Sequence, residues 1–318
     1  ARWAVEQGYG YQENLDYMEE GGRLENADAE LMSDRALERG LKQVGTLGSG
    51  NHFLEIGRVD EIYLCDVAQS LGLFPNQVVV LIHTGSRGLG YQTCEDFLKV
   101  MNHAMAKYGI QLPDRQLACT PIQSHEGQDY LSAMASAANY AWANRQVIMS
   151  QAEKAFLKAL DISPVDLGFS LIYDVCHNIA KIEEHVVDGK RRSLCVHRKG
   201  ATRAFPPGHP QLPQAYQKLG QPVLVPGDMG RYSYLLVGSE AAMQKSFGST
   251  CHGAGRVMSR AQSKRESRGI DIDQEMARRG VVARYQGKAT MAEEMPHAYK
   301  DVAEVVETME LAGISKKV

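Results

Sequence analysis

The chain has 318 residues, 44% of them hydrophobic, and a formal net charge of −3 at pH 7, enough for a substantial core in one large domain or two ordinary ones. That charge excludes a global basic field, so nucleic-acid binding would need a local patch. Six cysteines without a CxxC pair argue against a disulfide framework or structural zinc and fit reduced thiols in the cytoplasm, and the absence of an apolar run of about 18 residues argues against a membrane span.

Residues 1–40 are polar and glycine-punctuated, and 27–40 predict a short helix capped by Asn26. Residues 45–55, GTLGSGNHFLE, place a glycine–serine turn before Asn51 and His52, then the apolar Phe53, Leu54 and Ile56 of a strand. The glycines are in the wrong order for a dinucleotide fingerprint, and no GxxxxGK[ST] loop occurs. Taken alone, His52 reads as the cap of a turn. Residues 78–82, VVVLI, predict a buried strand. It delivers His83, Ser86 and Arg87 into a glycine loop, a common way to build a site at a sheet edge. Arg87 can clamp a phosphate in bidentate fashion; the alternative is a surface salt bridge.

Residues 91–107 and 128–160 predict helices. In the second, Met134, Ala138, Ala141, Trp142 and Ile148 form a stripe that belongs to the core. Residues 121–127 predict a loop, and His125-Glu126 lacks the second histidine of HExxH. Residues 169–175, FSLIYDV, predict a strand ended by Cys176-His177-Asn178, with a helix over 179–185. Residues 193–204, SLCVHRKGATRA, are the most basic segment. There Arg198 and Lys199 read either as a solvated basic turn or as RNA-phosphate contacts, the main source of nucleic-acid affinity. Residues 222–233 predict a strand running into a ligand shelf, with a second strand over 234–237. Residues 301–312 predict a helix ending at Gly313. No linker or internal repeat interrupts the chain, so a single α+β domain over residues 1–318 is expected.

Residues 247–260, FGSTCHGAGRVMSR, set His252 among small residues. Small residues let the backbone approach a ligand closely. A helix expected from Arg256 would aim N–H groups at an anion, with Arg256 and Arg260 adding positive charge. An ordinary glycine-rich helix entry with a surface histidine is equally compatible. His52, His83, His177 and His252 all lie beside glycine or at strand exits. Imidazoles suit several first-row divalent metals, and sequence does not choose among them. His252 is the best nucleophile candidate. Its ring is mostly neutral at pH 7, so a free nitrogen can attack phosphorus without an activating base. The resulting P–N bond is labile, as a group carrier requires.

The motifs GTLGSGNHFLE, HTGSRG, YDVCHN, HRKGATRAFPPG, VPGDMGRYSY, GSTCHGAGR, and EEMPHAYKDV with GISKKV are similar, in order, to those of the RtcB-type RNA-splicing ligases. The resemblance implies an α+β fold around a polar cleft. It also implies an enzyme joining RNA 3′-phosphate or 2′,3′-cyclic phosphate ends to 5′-hydroxyl ends, as in tRNA splicing, with GTP and two Mn²⁺ ions. His252 would match the guanylylated histidine, and His52, His83 and His177 metal-binding histidines that converge on shared metal positions. Asn51, His52, Phe53, Leu54, Glu55, His177, Asn178, Pro226, Gly227, Asp228, Met229, Ser233, His252, Gly253, Ala254 and Gly255 would match nucleotide contacts. Tyr299 would lie near the guanine, and Arg87 near the RNA phosphate. RNA with such ends, tRNA halves included, an archease-like activator and a cytoplasmic setting follow as expected partners and place.

Departures accompany the resemblance. Asp228 stands where such ligases have serine. A DxGCGM-like motif, the source of an aspartate and a bridging cysteine for the metals, does not occur, nor does the terminal-region lysine. The chain is therefore expected to be the C-terminal larger part of a ligase, its N-terminal part missing, and a poor ligase by itself. A metal-dependent phosphoesterase and a non-catalytic RNA-binding module are the rival readings.

Overall fold

The computed structural model describes residues 1–114 and 117–318. The backbone divides into two compact units, Ala1–Gly48 with Ile82–Asp174, and Ser49–Leu81 with Val175–Val318.

The first unit is organised on the helix His125–Leu160. Ser124 caps it, accepting from Gly127 N at 3.1 Å, so it starts inside the expected loop, with His125 and Glu126 in its first turn. The expected stripe is core: Trp142 is fully buried, and Ala138, Ala141 and Ile148 are buried with it. The helix Arg87–Lys107 begins ahead of the expected Tyr91. The stretch expected as one helix over 27–40 is two pieces, a short 3-10 turn Ala29–Leu31 and a helix Asp34–Leu41. The break follows from two separate caps, Asp28 accepting from Glu30 N and Ser33 from Ala36 N. Met32, Ala36, Leu89 and Ala137 pack together with Tyr140. The fully buried Asn144 ties two loops to the long helix. Its Oδ1 accepts from Gly45 N and Thr46 N (2.7 and 3.2 Å), and its Nδ2 donates to Thr46 O and Gly85 O (3.2 and 3.1 Å). Buried amides of this kind need every partner they can reach. Here they fix the loops on either side of Arg87.

The second unit holds the strands. The apolar runs give β1 (Phe53–Arg58) and β2 (Val78–His83), and the two pair; β2 is not the buried strand expected, since Val78 is exposed and the rest of it half-buried, and its last two residues pass into the first unit. Residues 169–175, expected as a strand, carry one isolated bridge, Met18 with Asp174. Residues 179–185, expected as a helix, open β3 (Ile179–Val187), which pairs antiparallel with β4 (Lys190–Arg198). Asp188 and Gly189 turn the chain with φ of 51° and 72°, the two left-handed residues a two-residue hairpin loop requires. β5 (Ala201–Arg203) follows, then β6 (Pro222–Val225), β7 (Tyr234–Gly238), β8 (Ser249–Cys251) and β9 (Ser315–Lys317). β7 lies between β6 and β9, and β5 pairs with β8. Ala204, Val223, Val225, Leu236, Ala254, Val302 and Val306 form a core between this sheet and the helix Val302–Leu311. No helix among the described residues is long and apolar enough to cross a membrane.

Candidate active site

The second unit delivers two of the candidate histidines to one place. Ile179, first in β3, lies opposite Arg198, last in β4. Arg198 donates from Nε to Ser249 Oγ at 2.9 Å, which sets the hairpin beside β8. In β8, Cys251 lies opposite Ala201. His177 precedes β3 and His252 follows β8, so their rings meet, with centroids 4.4 Å apart and planes at 69°. Both rings are half-buried.

The loop after His252 rests on the shelf after β6. Ala254 N donates to Pro226 O at 3.1 Å, and a Cβ on Gly253 would come within 3.3 Å of the same carbonyl. Gly255 has φ +75°, and nothing lies within 4 Å of where its Cβ would be, so open space remains beside the histidine loop. Within the shelf, Gly227 N donates to Ser233 Oγ (3.4 Å) and Gly230 N to Asp228 Oδ1 (2.9 Å). Burial pushes the Asp228 carboxyl up. Met229 packs against Ile272, Met276 and Met295.

Arg256 corrects an expectation. The helix expected at that residue begins at Arg260, capped by Ser259, so no helix N-terminus follows His252 directly. The Arg256 guanidinium is committed elsewhere. It donates to Glu294 Oε2 (3.0 Å), Tyr299 Oη (3.0 Å) and Glu293 O (2.6 Å), and it lies 4.9 Å from the centre of the Tyr299 ring. Tyr299 donates to Glu294 in turn. Burial and then this carboxylate push the Tyr299 phenol up. Arg260 and Lys264 also face the two glutamates, at 3.5 and 2.5 Å from Glu293. Sequence alone shows the cations Arg256 and Arg260 and, separately, Glu293 and Glu294 in the EEMPHAYKDV motif; it does not show that they pair. Gly50, next to the candidate Asn51, joins this cluster: its Cβ position lies 3.6 Å from Arg260 Nη2 and 3.8 Å from Glu294 Oε1.

The remaining candidates divide. His52, Phe53, Leu54 and Glu55 are half-buried at the start of β1, and burial pushes the Glu55 carboxyl up. Asn178 is exposed with φ +57°. His83 and Arg87 belong to the first unit. There Arg87 Nε donates to Thr46 Oγ1 at 3.2 Å, beneath Gly48. Lys199 is exposed. Arg198, the other expected RNA-phosphate contact, is corrected by the structure: it is 2% exposed and forks onto Glu183 at 2.7 and 2.9 Å. A guanidinium so enclosed cannot reach a solvent-borne phosphate. Among the described residues, no group of three or more His, Cys, Asp and Glu side chains is arranged to hold a metal ion. Burial pushes the Cys251 thiol up, away from the thiolate a metal would need.

Fold and site together define an α+β protein whose strands bring a histidine pair to a glycine-rich loop. The chain belongs to the RtcB family: the family model described as tRNA-splicing ligase RtcB matches residues 1–318. Relatives named tRNA-splicing ligase RtcB include proteins of Archaeoglobus fulgidus, 57% identical over 318 residues, and Pyrococcus abyssi, 55% identical over 318 residues. Another, from Methanocaldococcus jannaschii, is 54% identical over 317 residues. Each alignment covers 100% of this chain, but 66%, 35% and 33% of the respective relatives. The chain thus spans less than two thirds of their length. The expectation that it is the C-terminal larger part of a ligase gains nothing from the family match, which runs from end to end.

Proposed function

We propose that this chain carries the nucleotidyl-transfer centre of an RNA ligase, with His252 as the group that becomes guanylylated. The observation that carries the reading is the edge-on contact of His177 with His252 beside a loop that leaves open space at Gly255. A half-buried imidazole held by a second ring and followed by Gly253, Ala254 and Gly255 suits attack on a bulky phosphoanhydride.

In the proposed sequence, a ring nitrogen of His252 attacks the α-phosphorus of GTP, and the P–O bond to pyrophosphate breaks. The imidazole then transfers GMP to an RNA 3′-phosphate, and the ring nitrogen recovers its lone pair. The 5′-hydroxyl of the second RNA attacks the activated 3′-end, loses its proton, and GMP leaves. A 2′,3′-cyclic end is first opened by water. Positioning and charge neutralisation carry such phosphoryl chemistry. Asn51 to Glu55, Asn178, the shelf from Pro226 to Met229, Ser233 and Tyr299 are the proposed nucleotide contacts, and Arg87 and Lys199 the proposed RNA contacts. Mn²⁺ is the proposed metal, with His52, His83 and His177 as proposed donors. The described residues do not assemble three such donors, so no step is derived through the ion. RNA halves with 3′-phosphate and 5′-hydroxyl ends, an archease-like activator and a cytoplasmic setting complete the proposal; free thiols at all six cysteines fit that setting.

The test uses GTP labelled at the α-phosphate. A ligase of this kind retains label on the denatured protein under alkaline conditions, where a phosphoramidate survives, and loses it in acid. Phosphate release from RNA ends without labelled protein would instead mark a water-activating phosphoesterase.

A further inference from the structure

The inward face of β3 and β4 carries charge where a sheet face packed on a core ordinarily carries apolar residues. Glu183 and His185 are each 3% exposed. Arg198 Nη1 and Nη2 donate to the two Glu183 oxygens at 2.7 and 2.9 Å, and His185 Nε2 lies 3.0 Å from Glu183 Oε2. A buried pair of this kind is weak evidence for stability, because well-packed apolar residues commonly do as well. Its geometry is more informative. The remaining edge of the guanidinium points at the strand that leads to His252. Nε donates to Ser249 Oγ at 2.9 Å, and Nη2 to the carbonyl of Phe247 at 3.0 Å. Phe247 and Gly248 are both left-handed, with φ of 50° and 61°, an unfavourable conformation for phenylalanine. One guanidinium thus grips the bend at its carbonyl and the first residue of β8 at its side chain.

We propose that Glu183 and Arg198 are positioning residues for His252, acting through Ser249; this rests on the proposed role of His252. β8 is only Ser249–Cys251, so a shift at Ser249 is passed directly to the histidine. Glu183 fixes the plane of the guanidinium through its fork, and His185 fixes the carboxylate. Glu183, His185 and Arg198 are buried at 3%, 3% and 2% exposure, so the network is assigned no contact with nucleotide or RNA. Its effect is on where the attacking nitrogen stands.

The experiment measures single-turnover guanylylation of the full chain with α-labelled GTP, in which amplitude reports the competent fraction and the rate constant reports geometry. Ser249→Ala and Arg198→Lys are expected to lower the rate constant about 10- to 100-fold, the scale of a misplacement near one ångström. Amplitude should be unchanged, and Kd for GTP should stay within about twofold of the parent. Lys190→Ala, at the exposed tip of the same hairpin, should change none of these. A merely structural role would reduce amplitude and thermal midpoint and leave the surviving rate constant alone, and that result overturns the proposal. Should Arg198→Lys fail to fold, Ser249→Ala decides, since it leaves the fork to Glu183 in place. Imidazole NMR resonances give a readout independent of labelling: Ser249→Ala should move those of His252 and leave those of the exposed His103. If the parent takes no label, the functional reading fails by itself. The positioning proposal is then judged on the resonances, and unmoved His252 signals overturn it.

Discussion

The ring of His177 meets that of His252 edge to face at 4.4 Å. Edge-to-face contact between two rings favours one orientation over free rotation, so His177 limits which nitrogen His252 presents. His252→Ala should abolish covalent GMP labelling while leaving RNA affinity, followed by fluorescence anisotropy, within about twofold. His177→Ala should leave labelling detectable but slower by about 10²-fold. Label that survives in His252→Ala would move the covalent site elsewhere.

Gly48 and Arg87 form the second testable pair. Gly48 has φ +113°, and a Cβ there would fall 1.9 Å from Arg87 Nη1. Arg87 is itself left-handed, with φ 56°, and burial pulls its guanidinium pKa down. Arg87→Ala should weaken RNA joining more than guanylylation, because its proposed partner is the RNA phosphate. Gly48→Ala should show the same split, since the new methyl must displace the guanidinium, and should cost about 1–3 kcal/mol of stability for the strained backbone. Parallel loss in both half-reactions would assign Arg87 to the nucleotide or to the fold.

The elements legible in the sequence were those whose side chains announce burial. The alanine stripe marks the long helix with its fully buried Trp142, while VVVLI marks β2 as a strand but overstates its burial, since Val78 is exposed and the rest half-buried. The β3–β4 hairpin was misread because its inward residues, Lys181, Glu183 and His185, are polar, and hydropathy hides a period of two made of charges. Asp188-Gly189 was the turn signal that outweighs it. The histidine pair is legible as two candidates, His177 at the end of an expected strand and His252 in a glycine-rich loop, but not as a contact. That contact depends on pairings such as Arg198 with Ser249, 51 residues apart, which local pattern does not encode. Arg198 itself looked like part of a basic run because its neutralising carboxylate lies 15 residues upstream. The pairing of Glu293 and Glu294 with Arg256, 37 and 38 residues away, is hidden for the same reason.

Arg256, Glu294 and Tyr299 give a third prediction. The buried carboxylate of Glu294 serves both the guanidinium and the phenol. Tyr299→Phe removes two hydrogen bonds, one accepted from Arg256 and one donated to Glu294, but leaves those two residues paired with each other, and should cost about 0.5–1.5 kcal/mol. Glu294→Gln leaves the guanidinium without its counter-charge and should cost more, about 1–3 kcal/mol. Urea unfolding measures both. A Glu294→Gln protein as stable as the parent would show that solvent or Arg260's neighbours already satisfy Arg256. If Tyr299 also lies near the guanine, Tyr299→Phe should raise Kd for GTP as well, and an unchanged Kd would remove Tyr299 from the nucleotide contacts.

The buried fork between Glu183 and Arg198 makes stability depend on pH in a stated direction. Burial is the largest influence on the Glu183 carboxyl and pushes it up, but the hydrogen bonds and charge of Arg198, with His185 and Arg203, carry it below its ordinary value of 4.5. A carboxyl whose folded pKa lies below its unfolded one binds protons more readily when unfolded. Its stabilisation is therefore present above about pH 4.5 and is lost as pH falls through the folded value. Glu183→Gln, which leaves a buried guanidinium facing a neutral amide, should cost about 3–5 kcal/mol at pH 7. The gap to the parent should narrow as pH drops below 4.5, because only the parent has this carboxylate to lose. Replacing both partners with apolar side chains, Glu183→Leu with Arg198→Met, should recover most of the stability, since neither charge is then left buried alone. Guanylylation should stay slow in that double variant, because nothing grips Ser249. Unfolding curves from pH 3 to pH 7, on the order of the carboxylate range, measure the first effect, and labelling rates the second. Superimposable pH profiles for the parent and Glu183→Gln would mean that the carboxyl titrates alike folded and unfolded, and that the fork contributes nothing electrostatic. A double variant that labels at the parent rate would mean that β8 holds His252 without help from the hairpin.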